Sequence, residues 1–255
     1  MRIATYNVNS IRAREARFVE WIEATKPDVV CLQELKVEDD KFPTMLLRGL
    51  GYESAVYGQK TYNGVAVLSK TPMSDVHRGM NDGDQDPQAR VVSAVTNGIR
   101  VVSVYVPNGE SLTSDKYDYK LRFLARLDAY VDKLLAAGTP FIVAGDYNIA
   151  PEDIDCHDPP AWKDSVLFSD KERAAFAALL RKGLIDSIRA TNQDKQIFSW
   201  WDYRMLAFPK NKGMRIDHLL LSPDLAPRLK AGGLDRDARK GKQPSDHGPM
   251  WIELA

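Results

Sequence analysis

Nine short runs of β-forming residues are spread along the chain: RIATYNV, DVVCLQE, GVAVLSK, VVSAVT, IRVVSVYVP, FIVAGD, FSWWDY, RIDHLLLS and PMWIEL. Several are apolar at every position, so the sheets they build must be covered on both faces. Asn97-Gly98, between VVSAVT and IRVVSVYV, is a two-residue hairpin signal. At least one strand pair is therefore antiparallel, and the sheets are mixed. Helical spacing lies between runs. Phe18, Trp21 and Ile22 form one stripe, Leu121, Leu124, Leu127, Val131 and Leu135 a second, and Phe176, Leu179, Leu180 and Leu184 a third. Ser169 or Asp170 caps the third. The 255 residues, 44% of them hydrophobic, suffice for one large α/β domain or two small ones. With no linker, low-complexity tract or short repeat, the expectation is one domain over residues 1–255: two packed sheets with helices outside.

No apolar run approaches the roughly 20 residues a membrane helix needs, and MRIATYNVNSIRARE has no signal-peptide core. A cytoplasmic protein is expected. Cys31, inside VVCLQ, reads as a small core residue, whereas Cys156 sits in a polar loop without an assignable role. Two cysteines make no disulfide framework. The formal net charge is zero but uneven. Residues 204–243 carry ten Lys/Arg against four Asp/Glu, and residues 146–172 carry eight Asp/Glu against two Lys. Two solvated segments account for this; the sharper reading is a basic wall beside an acidic, metal-binding mouth.

The ends of the strands carry the chemistry. IATYNV runs into Asn7 and Asn9, VVCLQE ends at Glu34, and VVSVYVP carries Tyr105 and then Asn108. FIVAG ends at Asp146 and Asn148, RID carries Asp217, and QPSDHGP carries Asp246 and His247. Strand alternation puts Asn7 with Asn9, and Asp146 with Asn148, on one face. Each segment alone is ordinary turn chemistry; six together point to a site. Serine-hydrolase, P-loop, dinucleotide-binding and zincin signatures are missing. The remaining oxygen-rich inventory suits Mg²⁺ or Mn²⁺. With a histidine and amide donors, it suits phosphodiester hydrolysis. His77, His157 and His218 lack an evident partner; His247 has a candidate in Asp217. Glu152, Asp153 and Asp155 read as loop surface.

YNVNSIRA, CLQELK, YVPNGE, GDYNIAP, FSWWDYR, RIDHLLLS and SDHGP, in this order, resemble the bacterial exonuclease III family of apurinic/apyrimidinic (AP) endonucleases, within the endonuclease/exonuclease/phosphatase superfamily. The resemblance runs from Arg2 to Leu254. It implies a four-layered α-β-β-α sandwich with the site at one end of two packed sheets. It makes Glu34 the principal metal ligand with Asn7 close by, and places Asp246, Asp146 and Asn148 around the metal. It gives Asp146 the attacking water, Asn148 and Asn108 the phosphate oxygens, and Tyr105 a phosphate contact. His247, oriented by Asp217, would hold the scissile phosphate. Lys36 and Arg90 stand beside the substrate, each with an ordinary surface or strand-edge alternative. Trp200 matches a position lining the pocket for an extruded abasic sugar. Met214 matches another, where animal relatives carry Trp. Tyr6 stands where many relatives have Trp, and Asn9 where animal relatives have Asp, which removes one carboxylate from a second metal site.

The implied activity is Mg²⁺-dependent (or Mn²⁺-dependent) DNA repair: incision of duplex DNA 5′ to abasic sites, removal of nucleotides and blocking groups from 3′ ends, or both. A 3′-5′ exonuclease with little abasic-site activity is the alternative. The loops Asn108–Tyr119 and His157–Ser169 would set the balance. A binding-only relative and a lipid or inositol phosphatase rank lower. All four of Glu34, Asp146, Asp217 and His247 are present, and FSWWDYR with the basic segment marks the DNA branch. The expected partner is double-stranded DNA with abasic sites or 3′ ends. No membrane or obligate protein partner is indicated, and a monomer at the bacterial nucleoid is expected.

Overall fold

The computed structural model describes residues 1–84 and 86–255. Twelve strands follow in chain order: β1 (Arg2–Asn7), β2 (Val29–Gln33), β3 (Glu53–Tyr57), β4 (Val65–Ser69), β5 (Ser74–Arg78), β6 (Val91–Thr96), β7 (Ile99–Tyr105), β8 (Phe141–Asp146), β9 (Ile185–Asp186), β10 (Asp217–Leu221), β11 (Leu229–Leu234) and β12 (Met250–Leu254). They make two six-stranded sheets, ordered β11-β12-β1-β2-β4-β3 and β5-β6-β7-β8-β10-β9. Both are mixed. β1–β2 and β7–β8 run parallel, and their other pairings are antiparallel. The helices are α1 (Glu15–Thr25), α2 (Thr44–Gly49), α3 (Asp115–Ala137), α4 (Pro159–Trp162), α5 (Asp170–Arg181) and α6 (Ser187–Thr191). Among the described residues, none is long and apolar enough to cross a membrane.

The all-apolar strands are explained by cover on both faces. Between the sheets, Ile3, Cys31, Val67 and Ile252 pack with Val92, Val101, Ile142 and Leu219. Phe18, Trp21 and Ile22 of α1 cover the outer face of the first sheet at Tyr6, Val30 and Leu32. Phe123, Leu127 and Val131 of α3, with Phe176 and Leu179 of α5, cover Val102, Val104 and Val143 on the second. The result is the four-layered α-β-β-α sandwich. The α5 stripe starts at Ser169, which forms a reciprocal capping box with Glu172. Asn97-Gly98 turns β6 into β7, with Thr96 opposite Ile99 and both turn residues at positive φ.

The sequence reading is corrected at several points. FSWWDY is not a strand. Trp200 makes only isolated bridges, to Met214 and His247. β3, β5, β9 and β11 have no counterpart among the nine runs. In the α3 stripe Leu121 and Leu135 are only half-buried, and Tyr117, Lys120 and Phe123 are buried instead. Asp155 is not surface. It is fully buried and receives Nε and Nη2 of Arg215 at 2.7 and 3.0 Å, and Arg189 as well. Cys156 is core, packed with Met214, Ile216 and Phe168. The three other histidines do have partners: His77 meets Asp75 at 2.7 Å, His157 meets the Gly213 carbonyl, and buried His218 lies between Arg215 and Ile149.

Candidate active site

The sheet registers put the polar strand ends side by side. In the second sheet Tyr105 is opposite Asp146 across β7–β8, and Asp146 is opposite Asp217 across β8–β10. In the first, Asn7 is opposite Gln33 across β1–β2, one residue before Glu34. β8 approaches β7 closely here: a Cβ on Gly145 would lie 1.8 Å from the Val104 carbonyl oxygen. The residue preceding Asp146 therefore carries no side chain.

The residues after β1 and β8 are turned in, but not by strand alternation. Asn9 and Asn148 have φ of 45° and 50°, and their N–H groups donate to Oδ1 of Asn7 (3.0 Å) and of Asp146 (2.8 Å). The same Asx turn thus closes both strands. Glu34 and Lys36 also sit at positive φ, 53° and 56°, where a side chain with Cβ is held at a cost of about 1–2 kcal/mol. Backbone bonds fix them: Ser10 N–H donates to the Glu34 carbonyl at 2.7 Å, and Leu35 N–H to Gly64 at 3.1 Å.

Asn7 joins the two sheets. Its Nδ2 donates to Glu34 Oε1 at 2.8 Å and to Asp146 Oδ2 at 2.9 Å. In this arrangement it bridges the carboxylates through nitrogen, and its oxygen accepts Asn9 N–H instead of facing a metal held between them. Glu34 Oε2 is 2.9 Å from Lys36 Nζ, which also donates to Asn9 Oδ1 at 2.6 Å. Ligand atoms of Glu34, Asp146 and His247 lie within 4.8 Å of one another. His247 Nδ1 faces Asp217 Oδ2 at 2.8 Å, and its Nε2 is 3.7 Å from Asp146 Oδ2. The other Asp217 oxygen is buried and has no partner among the described residues. Asp217 is thereby committed to the imidazole.

Burial opposes charge on His247, but Asp217 and Asp146 overcome it and raise the group to about 10. Its two ring nitrogens each face a carboxylate, Asp217 and Asp146, an arrangement that favours the imidazolium form, which presents a proton and not a lone pair. Burial pushes the Asp146 carboxyl up, with His247 opposing, Asp217 adding and Asn7 opposing. Burial, then Glu34 and Asp146, hold the Tyr105 hydroxyl well above its ordinary range, so it stays a donor. The oxygen donors of Glu34 and Asp146, close together at the seam, fit a hard divalent ion. Such an ion would be held by Glu34 and Asp146.

The remaining candidates fall around this centre. Asn108 Nδ2 donates to Asn148 Oδ1 at 3.0 Å, and Asn148 Nδ2 to the Val106 carbonyl at 3.0 Å. One N–H of each amide is thus used internally and one remains. Asp246 accepts from Asn9 Nδ2 (2.9 Å) and Trp200 Nε1 (3.0 Å), and lies outside the three-residue cluster. Met214 is fully buried beneath Trp200 and offers no surface of its own. Arg90 stacks on Tyr105 and Tyr119, with its guanidinium 4.8 and 5.7 Å from the ring centroids, and donates to the Tyr105 carbonyl.

Three contributors escaped the sequence reading. Ser245 Oγ donates to the Asn7 carbonyl at 2.7 Å and accepts from His247 N–H. Trp162 stands edge-on to Trp200, centroids 6.1 Å apart. Lys120 lies beneath Asn108 and Asn148. The signal for Lys120 was present: it falls on the buried stripe of α3 at helical spacing from Tyr117, Leu124 and Leu127.

Residues 4–247 match the Endonuclease/Exonuclease/phosphatase family. The chain is 37% identical to exodeoxyribonuclease III of Haemophilus influenzae, covering all of both chains. A 3′ phosphatase from Neisseria, NExo, solved bound to product DNA hairpin, superposes with a TM-score of 0.98 at 40% identity, over 100% of this chain and 99% of that one. An AP endonuclease from Archaeoglobus fulgidus does so with a TM-score of 0.96 at 37% identity, over the same shares. With sequence, fold and the convergence of strand ends in agreement, the chain belongs to the endonuclease/exonuclease/phosphatase family, in its exonuclease III branch.

Proposed function

We propose that this chain is a divalent-cation-dependent DNA-repair phosphodiesterase that cuts duplex DNA 5′ to abasic sites and removes nucleotides or blocking groups from 3′ ends. The observation that carries the reading is the buried line Asp217–His247–Asp146, with Glu34 joined to it through Asn7. Asp146 takes the proton of the attacking water. His247, kept cationic by Asp217, faces the anionic phosphoryl oxygens, and the free N–H groups of Asn148 and Asn108 and the Tyr105 hydroxyl supply further donors. A bound Mg²⁺ or Mn²⁺ would supply Lewis-acid polarisation of a phosphoryl oxygen. Glu34 and Asp146 would hold it. Every group comes from one chain, and the protein acts as a cytoplasmic monomer.

A second reading shifts the balance toward 3′ ends. Trp162 stands against Trp200, the side chain expected to line an abasic-sugar pocket. One experiment separates the two. An end-labelled duplex with a single abasic-site analogue and an undamaged duplex with a recessed 3′ end are each incubated with Mg²⁺ and with EDTA. A Mg²⁺-dependent cut at the lesion supports the first reading, and shortening of the recessed end alone supports the second. No change in either substrate rejects both.

A further inference from the structure

Lys120 is a lysine with no solvent exposure, on the second turn of α3. Its ammonium has three donors, and each meets a backbone carbonyl from a different segment. These are Asn148 after β8 (2.7 Å), Val166 before α5 (2.5 Å) and Asn108 after β7 (3.2 Å). The stem is used as well. Gly109, at φ +101°, lies so close that an added Cβ would stand 3.3 Å from Lys120 Cδ and 3.2 Å from the Tyr117 ring. The charged groups around the ammonium are Glu172 and Asp146. Glu172 is itself buried and accepts from Tyr117, from the Ser169 hydroxyl and from Ser169 N–H.

Two of the three carbonyls belong to the residues whose amides face the site. Those amides are also joined to each other, Asn108 Nδ2 donating to Asn148 Oδ1. Asn108, Asn148 and Lys120 therefore close a ring: one link through the side chains, two through the main chain and one ammonium. A buried ammonium is expensive unless every donor is matched. A neutral apolar residue at this position on the stripe would avoid that cost but leave the three carbonyls without their donor. The lysine therefore satisfies three carbonyls and, by the same contacts, fixes where they stand.

We infer that Lys120 is a positioning residue: its three-carbonyl pin sets the peptide planes of Asn108 and Asn148, and so the aim of their amides at the phosphate. This rests on the phosphate-gripping role of those amides proposed above. The third arm, Val166, ties the His157–Ser169 loop to the same point.

The test is a double-mutant cycle on the intact chain, with the recessed-end and abasic-site duplexes as substrates and Mg²⁺ present. Lys120→Met should lower kcat roughly 10- to 100-fold, the scale of an ångström-sized misalignment, with a smaller change in KM. In an Asn148→Ala background the same change should cost clearly less than in the parent, because one of its two targets is gone. Lys120→Arg, which keeps charge and donors, should recover part of kcat. If Lys120→Met does not fold, Lys120→Arg takes its place in the cycle, with the same loss of effect expected in the Asn148→Ala background. Unchanged kcat in Lys120→Met overturns the inference, and so do losses that multiply through the cycle. Full turnover in Asn148→Ala alone is a different failure: it removes Asn148 from the phosphate grip and sinks that part of the functional reading.

Discussion

Asp146 shares its two oxygens between structure and chemistry. Oδ1 receives Asn148 N–H, while Oδ2 receives Asn7 and faces His247. Asp146→Asn keeps the size and removes the base, so turnover should fall roughly 10²- to 10⁴-fold, with DNA affinity measured by anisotropy changing only a few-fold. Retained turnover would exclude the base role. A second expectation concerns stability. Arg215 can only donate, so His218 Nδ1 must accept, which leaves Nε2–H for the Ile149 carbonyl. His218 is thus neutral, and burial followed by Arg215 depresses it from 6.5 to about 4. With the folded value below the unfolded one, its contribution is complete above about 6.5 and is lost as pH falls toward about 4. His218→Gln should therefore show a smaller drop in Tm between pH 7.5 and 4.5 than the parent. An equal drop would mean that His218 is not the titrating group. Asp155 was read as surface because its neighbours are acidic. The arginines that bury it lie 34 and 60 residues away, beyond any local pattern.

At the scale of elements, β8 is limited by its glycine. Gly145→Ala would drive a methyl group into the Val104 carbonyl at 1.8 Å, and overpacking of this kind costs about 1–3 kcal/mol or more. It should lower Tm and, in the protein that still folds, lower turnover by moving Asp146. Gly49→Ala, at the end of α2 with nothing within 4 Å, is the control and should be neutral or slightly stabilising. A parent-like Tm and turnover in Gly145→Ala would show that β7 and β8 do not need this approach. The central strands were legible because they are apolar throughout and bounded by turns. The missed ones lack that signal. β5 is mostly exposed, β9 is two residues long, and β11 reads LKAGGL, with two glycines. FSWWDY misled in the opposite direction: its aromatics are β-formers, yet Trp201 is core, and Trp200 is held by two bridges and Asp246. The residues gathered at the candidate site were legible through seven ordered motifs. Their conformation was not, since alternation says nothing of the left-handed turns at Asn9 and Asn148.

Across the whole molecule, the basic wall at 204–243 is thinner than its count. Arg215 is buried against Asp155 and Asp186, Arg239 is buried over Tyr203, and Arg236 stacks on Phe208 and Trp201. Arg204 pairs with Asp202 and Lys240 with Asp237. Lys210, Lys212, Lys230 and Lys242 remain exposed. If these meet the phosphates, DNA binding weakens with salt, and Lys210→Ala/Lys212→Ala should reduce the slope of log K against log[salt] by about one per lysine. An unchanged slope would place the DNA elsewhere. The bridge at Asn7 has a consequence of another kind. One amide nitrogen touches a carboxylate of each sheet, so the proposed reactive centre is divided along the seam of the sandwich. Neither half possesses it. A slip of one sheet against the other by an ångström would leave every strand and helix intact to spectroscopy yet pull the two carboxylates out of alignment. Turnover is in that sense a vernier for the alignment of the two sheets, finer than any probe of secondary structure.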